Sequence, residues 1–137
     1  MILVDTGAFY ALADRADTNH TAAVACLRSI REELATHPLI VAEAWYLLKN
    51  RLGRDVARRF AEQIALGRID LLAVENDDVA AALVAERRYA DLAIGLTDAV
   101  SLTLCEREHI TTVFTFDRKD FGSFRPTHTR ALRLLPE

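Results

Sequence analysis

Cysteine is scarce: the chain has two, Cys26 and Cys105, each inside a strongly helical pattern. Neither sits in a close Cys/His cluster, which argues against a zinc site, and both read as small buried hydrophobes. Long apolar runs are missing as well. None approaches the roughly 20 residues that span a bilayer. The first run, Ile2-Leu3-Val4, is too short for a secretory leader core and has no basic residues before it. These absences predict a cytoplasmic protein with no membrane partner. Lysine is nearly absent, since only Lys49 and Lys119 contribute to the 17 cationic side chains, and the net charge is −3. That balance argues against an unspecific nucleic-acid coat, whose affinity comes largely from Lys and Arg. A Ser/His/Asp arrangement is also missing, and His20, His37, His109 and His128 all lie outside the acidic motifs described below.

What the chain does have is apolar residues, at 51% of 137 positions, enough for one proper core and too many for disorder. The expectation is a single domain over residues 1–137. Ile2-Leu3-Val4 reads as a strand buried on both faces, as in a parallel sheet. A short helix over Ala8 to Ala13 follows, with Thr6 as its cap. A second helix starts near Asp17, Thr18 or Asn19 and runs to about Ala35, on a stripe of Val24, Leu27 and Leu34. Pro38 punctuates it, and Leu39-Ile40-Val41 reads as the second strand. Helices are predicted over Ala44 to Arg51 and Asp55 to Ala65, then a strand over Ile69 to Val74. A long Ala-rich helix spans Val79 to about Ala90, and Asp91 to Leu96 reads as a connection. Thr97 caps the next helix. Thr111 to Phe116 is a β-branched and aromatic strand, Phe121 to His128 is irregular, and Ala131 to Leu135 is a last strand. Strands alternating with helices predict an α/β fold: a three-layer α/β/α sandwich around a central, mainly parallel sheet.

Against that frame four acids share one local context. Asp5 and Asp117 each follow an apolar strand directly, Glu43 follows the predicted second strand after one Ala, and Asp98 stands in the first turn of a helix. In an open parallel sheet these positions lie along the carboxyl edge, where such sheets bind ligands. Carboxylates gathered there repel one another. Helix N-termini relieve about 0.3–1 kcal/mol each when exposed, and a divalent cation relieves far more. Oxygen ligands without Cys or His nearby suit Mg²⁺, with Mn²⁺ as a substitute, better than zinc.

The runs Ile2-Leu3-Val4-Asp5-Thr6-Gly7, Ala42-Glu43-Ala44-Trp45, Leu96-Thr97-Asp98-Ala99 and Thr115-Phe116-Asp117 resemble those of a PIN-domain ribonuclease of the VapC toxin type. The closing segment Asp120-Phe121-Gly122 through Phe124-Arg125-Pro126 does so too. The resemblance covers essentially the whole chain and implies a PIN-like fold, hydrolysis of RNA phosphodiester bonds, and membership of a type II toxin–antitoxin module. It implies an acidic metal site in which Asp5 and Asp98 are ligands and Asp117 and Glu43 complete the set directly or through water, with all four serving catalysis. Thr6, Thr97 and Thr115 are expected to orient carboxylates through their hydroxyls. The expected partners are the RNA substrate, a cognate antitoxin protein and a second copy of the chain in a homodimer. An acid at Asp91 has a hint of a role from the same resemblance. Asp120 reads as a cap or turn residue.

Two zones are basic within this acidic protein: Lys49 to Arg68, and Arg118 to the C-terminus. Arg118 and Lys119, beside Asp117, are the candidates for gripping RNA outside the cleavage point. Two rival readings stand beside this one. An Asp-based phosphatase of the haloacid-hydrolase type also ends its first strand on an Asp but needs a second acid two residues on, where this chain has Gly7. A catalytically degenerate PIN module would bind RNA or a protein without cutting, yet such a module should have lost an acid and this chain retains all four.

Overall fold

The computed structural model describes all residues, 1–137. Its elements run β1 (Ile2–Val4), α1 (Thr6–Ala13), α2 (His20–Ser29), β2 (Leu34–Thr36), α3 (Pro38–Leu52), α4 (Arg54–Ala65), β3 (Asp70–Leu71), α5 (Asn76–Arg88), a 3-10 turn at Ala90–Leu92, α6 (Leu96–Glu108), β4 (Thr112–Phe114), α7 (Arg118–Ser123) and β5 (Arg133–Leu135). The five strands form one sheet in the order β3-β2-β1-β4-β5, and every neighbouring pair is parallel. The chain therefore builds outward from β1 on one side, then returns to build outward from β1 on the other. The switch point lies between β1 and β4, in the register Ile2↔Thr112, Leu3↔Val113 and Val4↔Phe114.

Side chains alternate across each strand and feed two separate apolar layers. Leu3 and Val113 turn to one face, where they meet Val100 and Leu104 of α6 and Phe121 and Phe124 around α7. Ile2, Val4 and Phe114 turn to the other, where Phe9 of α1, Ala23 of α2 and Ile40 and Ala44 of α3 cover them. Helix α6 is buried on all sides from Ala99 to Cys105. Its two internal hydroxyls are satisfied locally, Ser101 donating to the Thr97 carbonyl and Thr103 to that of Ala99, each at 2.9 Å. At its far end the Arg107 guanidinium pairs with Asp78 and donates to the Ala73 carbonyl at 3.0 Å. Asp78 also closes a capping box with Glu75 at the start of α5, so α5 and α6 are held as a unit.

The α/β/α layering agrees with expectation, and no helix is long and apolar enough to cross a membrane. Several local readings are corrected. The second strand is Leu34–Thr36, and Leu39-Ile40-Val41 lies in the first turns of α3. Pro38 is the first residue of that helix, where its missing N–H costs nothing and its fixed φ is already helical. The burial of Ile40, Ala44 and Leu48 at four-residue spacing shows the helical face that the β-branched pair disguised. Consequently α2 ends at Ser29 rather than near Ala35, and Glu43 stands in the second turn of α3 rather than at its start. Residues Arg118–Ser123 form a short helix where an irregular segment was expected from Phe121, because Asp117 caps it. Thr6 and Thr97 are not caps: Asp5 precedes α1 and Gly95 precedes α6 as the N-cap.

Leu3 is fully buried at the centre of the sheet. Leu3→Ala is expected to lower the unfolding free energy by about 2–5 kcal/mol, whereas Leu83→Ala, on the exposed face of α5, should stay within about 0.5 kcal/mol. Urea denaturation of both variants checks this; equal effects would contradict the assigned layers.

Candidate metal centre

Asp5 follows the last residue of β1 at the switch point. Its backbone N–H still donates to the Phe114 carbonyl across the β1–β4 pairing, at 3.0 Å, and its side chain is only 7% exposed. Thr115, the residue after β4, is fully buried. Its hydroxyl donates to Asp5 Oδ2 at 2.9 Å and accepts the backbone N–H of Asp117 at 3.0 Å. One hydroxyl thus fixes the first acid against the segment that carries another. Asp117 caps α7, its Oδ1 accepting the Asp120 N–H at 3.0 Å. Asp98 reaches in from the first turn of α6. Carboxylate oxygens of Asp98, Asp117 and Asp120 lie within 4.8 Å of one another. Glu43, exposed on α3, completes the edge, and its negative charge acts on both Asp5 and Asp98.

Crowding and burial leave a clear electrostatic mark. The Asp5 carboxyl is pushed up to about 6, chiefly because burial strips its charged form of water. The Thr115 hydroxyl and the Thr6 backbone N–H oppose the shift, and the charges of Glu43 and Asp117 add to it. Asp98 is pushed up to about 7, first by burial and then by Asp5, Asp117, Asp120 and Glu43. Asp120 is raised by burial and by Asp117, with Lys119 countering. The start of three helices, α1, α6 and α7, directs partial positive charge to the same edge, yet the two inner acids still hold protons well above the ordinary carboxylate range. An all-oxygen set with that much unmet negative charge fits a hard divalent cation. Asp98, Asp117 and Asp120 bring their oxygens close enough together to share one, and the charges of Asp5 and Glu43 act on Asp98 from beside them.

The remaining candidates are placed unevenly. Of the three threonines, Thr115 alone hydrogen-bonds to a carboxylate. The Thr6 hydroxyl is buried without a partner. Thr97, half-buried, offers its carbonyl to Ser101 instead. Both lie one or two residues inside their helices, past the cap position from which a hydroxyl turns toward the helix mouth. Arg118 and Lys119 are exposed in the first turn of α7, next to Asp117. Asp91 is exposed in the 3-10 turn. Two residues were under-read. Asp120 joins the tightest group of carboxylates, a position signalled by its three-residue spacing from Asp117 at a helix start. His37 is fully buried and bonded to Ser101 at 2.8 Å; read as lying outside the acidic motifs, it joins the helix that carries Glu43 to the helix that carries Asp98.

Comparison with known proteins places this geometry among relatives. The PIN domain family model matches residues 2–125. The chain is 30% identical over 135 residues to ribonuclease VapC26 of Mycobacterium tuberculosis, covering 98% of this chain and 100% of that protein. The crystal structure of VapC20 from the same organism, described as a sarcin-ricin loop cleaving toxin, superposes with a TM-score of 0.83 at 24% identity. That match covers 95% of this chain and 99% of the other, and at this identity it speaks for the fold.

The raised acids set the sign of a pH effect. Between the unfolded value near 3.8 and folded values of about 6 and 7, the folded state binds more protons than the unfolded state. Stability therefore falls as pH rises through that window. Metal-free protein should melt at a lower temperature at pH 7.5 than at pH 5, and millimolar Mg²⁺ should recover most of the difference. Thermal melts with and without EDTA measure it; a metal-free melting temperature that rises from pH 5 to 7.5 would contradict the raised carboxyl values of Asp5 and Asp98.

Proposed function

The chain belongs to the PIN-domain family, and from that premise we propose that it is a divalent-metal-dependent endoribonuclease, the toxin of a type II toxin–antitoxin module. The observation that carries the reading is the gathering of Asp5, Asp98, Asp117 and Glu43 from four separate elements at one sheet edge, with the inner two held partly protonated by burial and then by mutual repulsion. Asp5, Asp98 and Asp117 would hold Mg²⁺ or Mn²⁺, with Glu43 completing the set. When bound, the cation supplies Lewis acidity toward a phosphodiester and lowers the pKa of an attacking water.

The chain's own groups do the rest. Thr115 keeps Asp5 and the Asp117 backbone at a fixed separation, so the ligand oxygens are set before RNA arrives. Glu43, the exposed member of the set, accepts the proton of the attacking water. Net repulsion between an acidic edge and a polyanion is offset by Arg118 and Lys119 at the start of α7, which grip phosphates flanking the scissile one. The products expected are a 5′-phosphate and a 3′-hydroxyl.

The partner reading draws on the opposite face of the sheet. An apolar cavity of about 470 Å³ opens there between α1, α2 and α4, lined by Phe9, Leu12, Leu27, Val56 and Phe60, with Arg59 and Arg68 also on its wall. Val4, one residue before Asp5, forms part of its floor. The antitoxin's occupant is accordingly an apolar segment with acidic flanks. For the homodimer, the candidates among the exposed apolar side chains are Leu83 and Val84 on α5 and Leu96 at the start of α6.

Asp5→Asn and Asp98→Asn should each lower metal-dependent RNA cleavage by at least 100-fold while preserving the fold; full cleavage by either variant in excess EDTA would remove the assignment. Reversing the charge of Arg118 and Lys119 together should weaken RNA binding and shallow its salt dependence, a role refuted if affinity and slope are unchanged. Val56→Asp should keep cleaving RNA when the antitoxin is added, as followed with a labelled substrate; full inhibition would place the antitoxin elsewhere.

A further inference from the structure

His37 ends the β2 segment and caps α3, six residues before Glu43. Its ring is fully buried, and Nε2 lies 2.8 Å from the Ser101 hydroxyl. Ser101 lies on α6, three residues after Asp98, and donates its single proton to the Thr97 carbonyl at 2.9 Å. Its oxygen can therefore only accept from the ring, which places the imidazole hydrogen on Nε2. The other nitrogen, Nδ1, is buried with no hydrogen-bond partner. Burial also pushes the ring down to about 4, so it is neutral wherever the protein works. A leucine would fill this place without leaving a bare lone pair in the core. An orphaned polar atom is a standing cost, and what the ring gains for it is one directed hydrogen bond to α6.

That bond has a counterpart. Thr115 joins Asp5 to the Asp117 segment; His37 and Ser101 join the helix bearing Glu43 to the helix bearing Asp98. Two buried polar links thus join the acid-bearing segments in pairs, Asp5 with the Asp117 segment and the start of α3 with α6. We propose that His37 is a positioning residue for the metal centre: through its Nε2–H and the Ser101 hydroxyl it fixes the start of α3 against the first turn of α6, and so the distance between Glu43 and Asp98. The inference rests on the reading of the four acids as a divalent-metal site.

The test compares wild type with His37→Leu, His37→Gln and Ser101→Ala. Mn²⁺ affinity is read by calorimetry, kcat and KM are read on a labelled RNA, and stability is read by urea denaturation. His37→Leu should weaken Mn²⁺ binding and lower kcat by about 10- to 100-fold, leave KM for RNA within about twofold, and unfold no more easily than wild type. His37→Gln, whose amide N–H replaces Nε2–H, should recover most of the Mn²⁺ affinity. Ser101→Ala should reproduce the loss, and the double variant should be no worse than either single one, since both cut the same link. Wild-type affinity and kcat in both His37→Leu and Ser101→Ala would overturn the inference, as would losses that track lowered stability and are not rescued by His37→Gln. If wild type itself takes up no Mn²⁺, the metal reading falls first and this inference with it, which separates the two failures. Should His37→Leu not fold, the Ser101→Ala and His37→Gln pair decides alone.

Discussion

Carboxylates taken out of water and set beside one another are the constraint around which this fold is arranged. Bringing Asp5, Asp98, Asp117, Asp120 and Glu43 to one edge is unfavourable, and burial first, then mutual repulsion, holds protons on Asp5 and Asp98 up to about 6 and 7. A small domain has only a few kcal/mol of net stability to set against such a cluster. The rest of the molecule supplies the opposing forces. A five-stranded parallel sheet with apolar layers on both faces anchors the strand ends. Three helix starts face the same edge, and buried hydroxyl groups hold the acid-bearing segments at set distances. The cluster persists because each acid is tied to an element that is itself buried and cannot retreat into water.

The same arrangement explains why the site needs so little dedicated sequence. Asp5 and Thr115 are the residues that immediately follow β1 and β4, which are neighbours at the switch point. Asp117 caps a six-residue helix whose only further demand is Phe121 and Phe124 in the core. Asp98 stands on α6, a helix buried on all sides whose far end is held to α5 by Arg107 and Asp78. Function and stability share residues here: apolar side chains that make the sheet also determine where its acids emerge. The opposite layer is packed less completely, since a cavity of about 470 Å³ remains between α1, α2 and α4.

Much of this was legible in the chain as written. The apolar run Ile2-Leu3-Val4 ending on Asp5, the β-branched run ending near Asp117 and the alternation with helices sufficed for a parallel α/β sheet, because burial on both faces demands uninterrupted apolar strands. The shared strand-end or helix-start context of four acids was visible for the same reason. Less legible was Leu34–Thr36: two of its three residues are small or polar, whereas Leu39-Ile40-Val41 has the composition of a strand but follows a proline already set for a helix. Register errors of this kind cannot be resolved by local preference, which tertiary packing overrides.

By itself the sequence determined which chemistry is available: carboxylates without Cys or His beside them, two basic zones, and strands and helices in an order that takes acids to one edge. Those are properties of residue type and of periodicity along the chain, and both are carried by short stretches. Only the tertiary structure decided which groups meet. It brought Asp120 into the tightest cluster, gave the hydroxyl of Thr115, and of neither Thr6 nor Thr97, the bond to Asp5, and joined His37 to Ser101 across 64 positions. Contacts between distant segments depend on the register and stacking of whole elements. No local pattern encodes these, and that is why Asp5 could be singled out from its own strand, and Thr115 named among three threonines, while only the structure shows which of the three holds it.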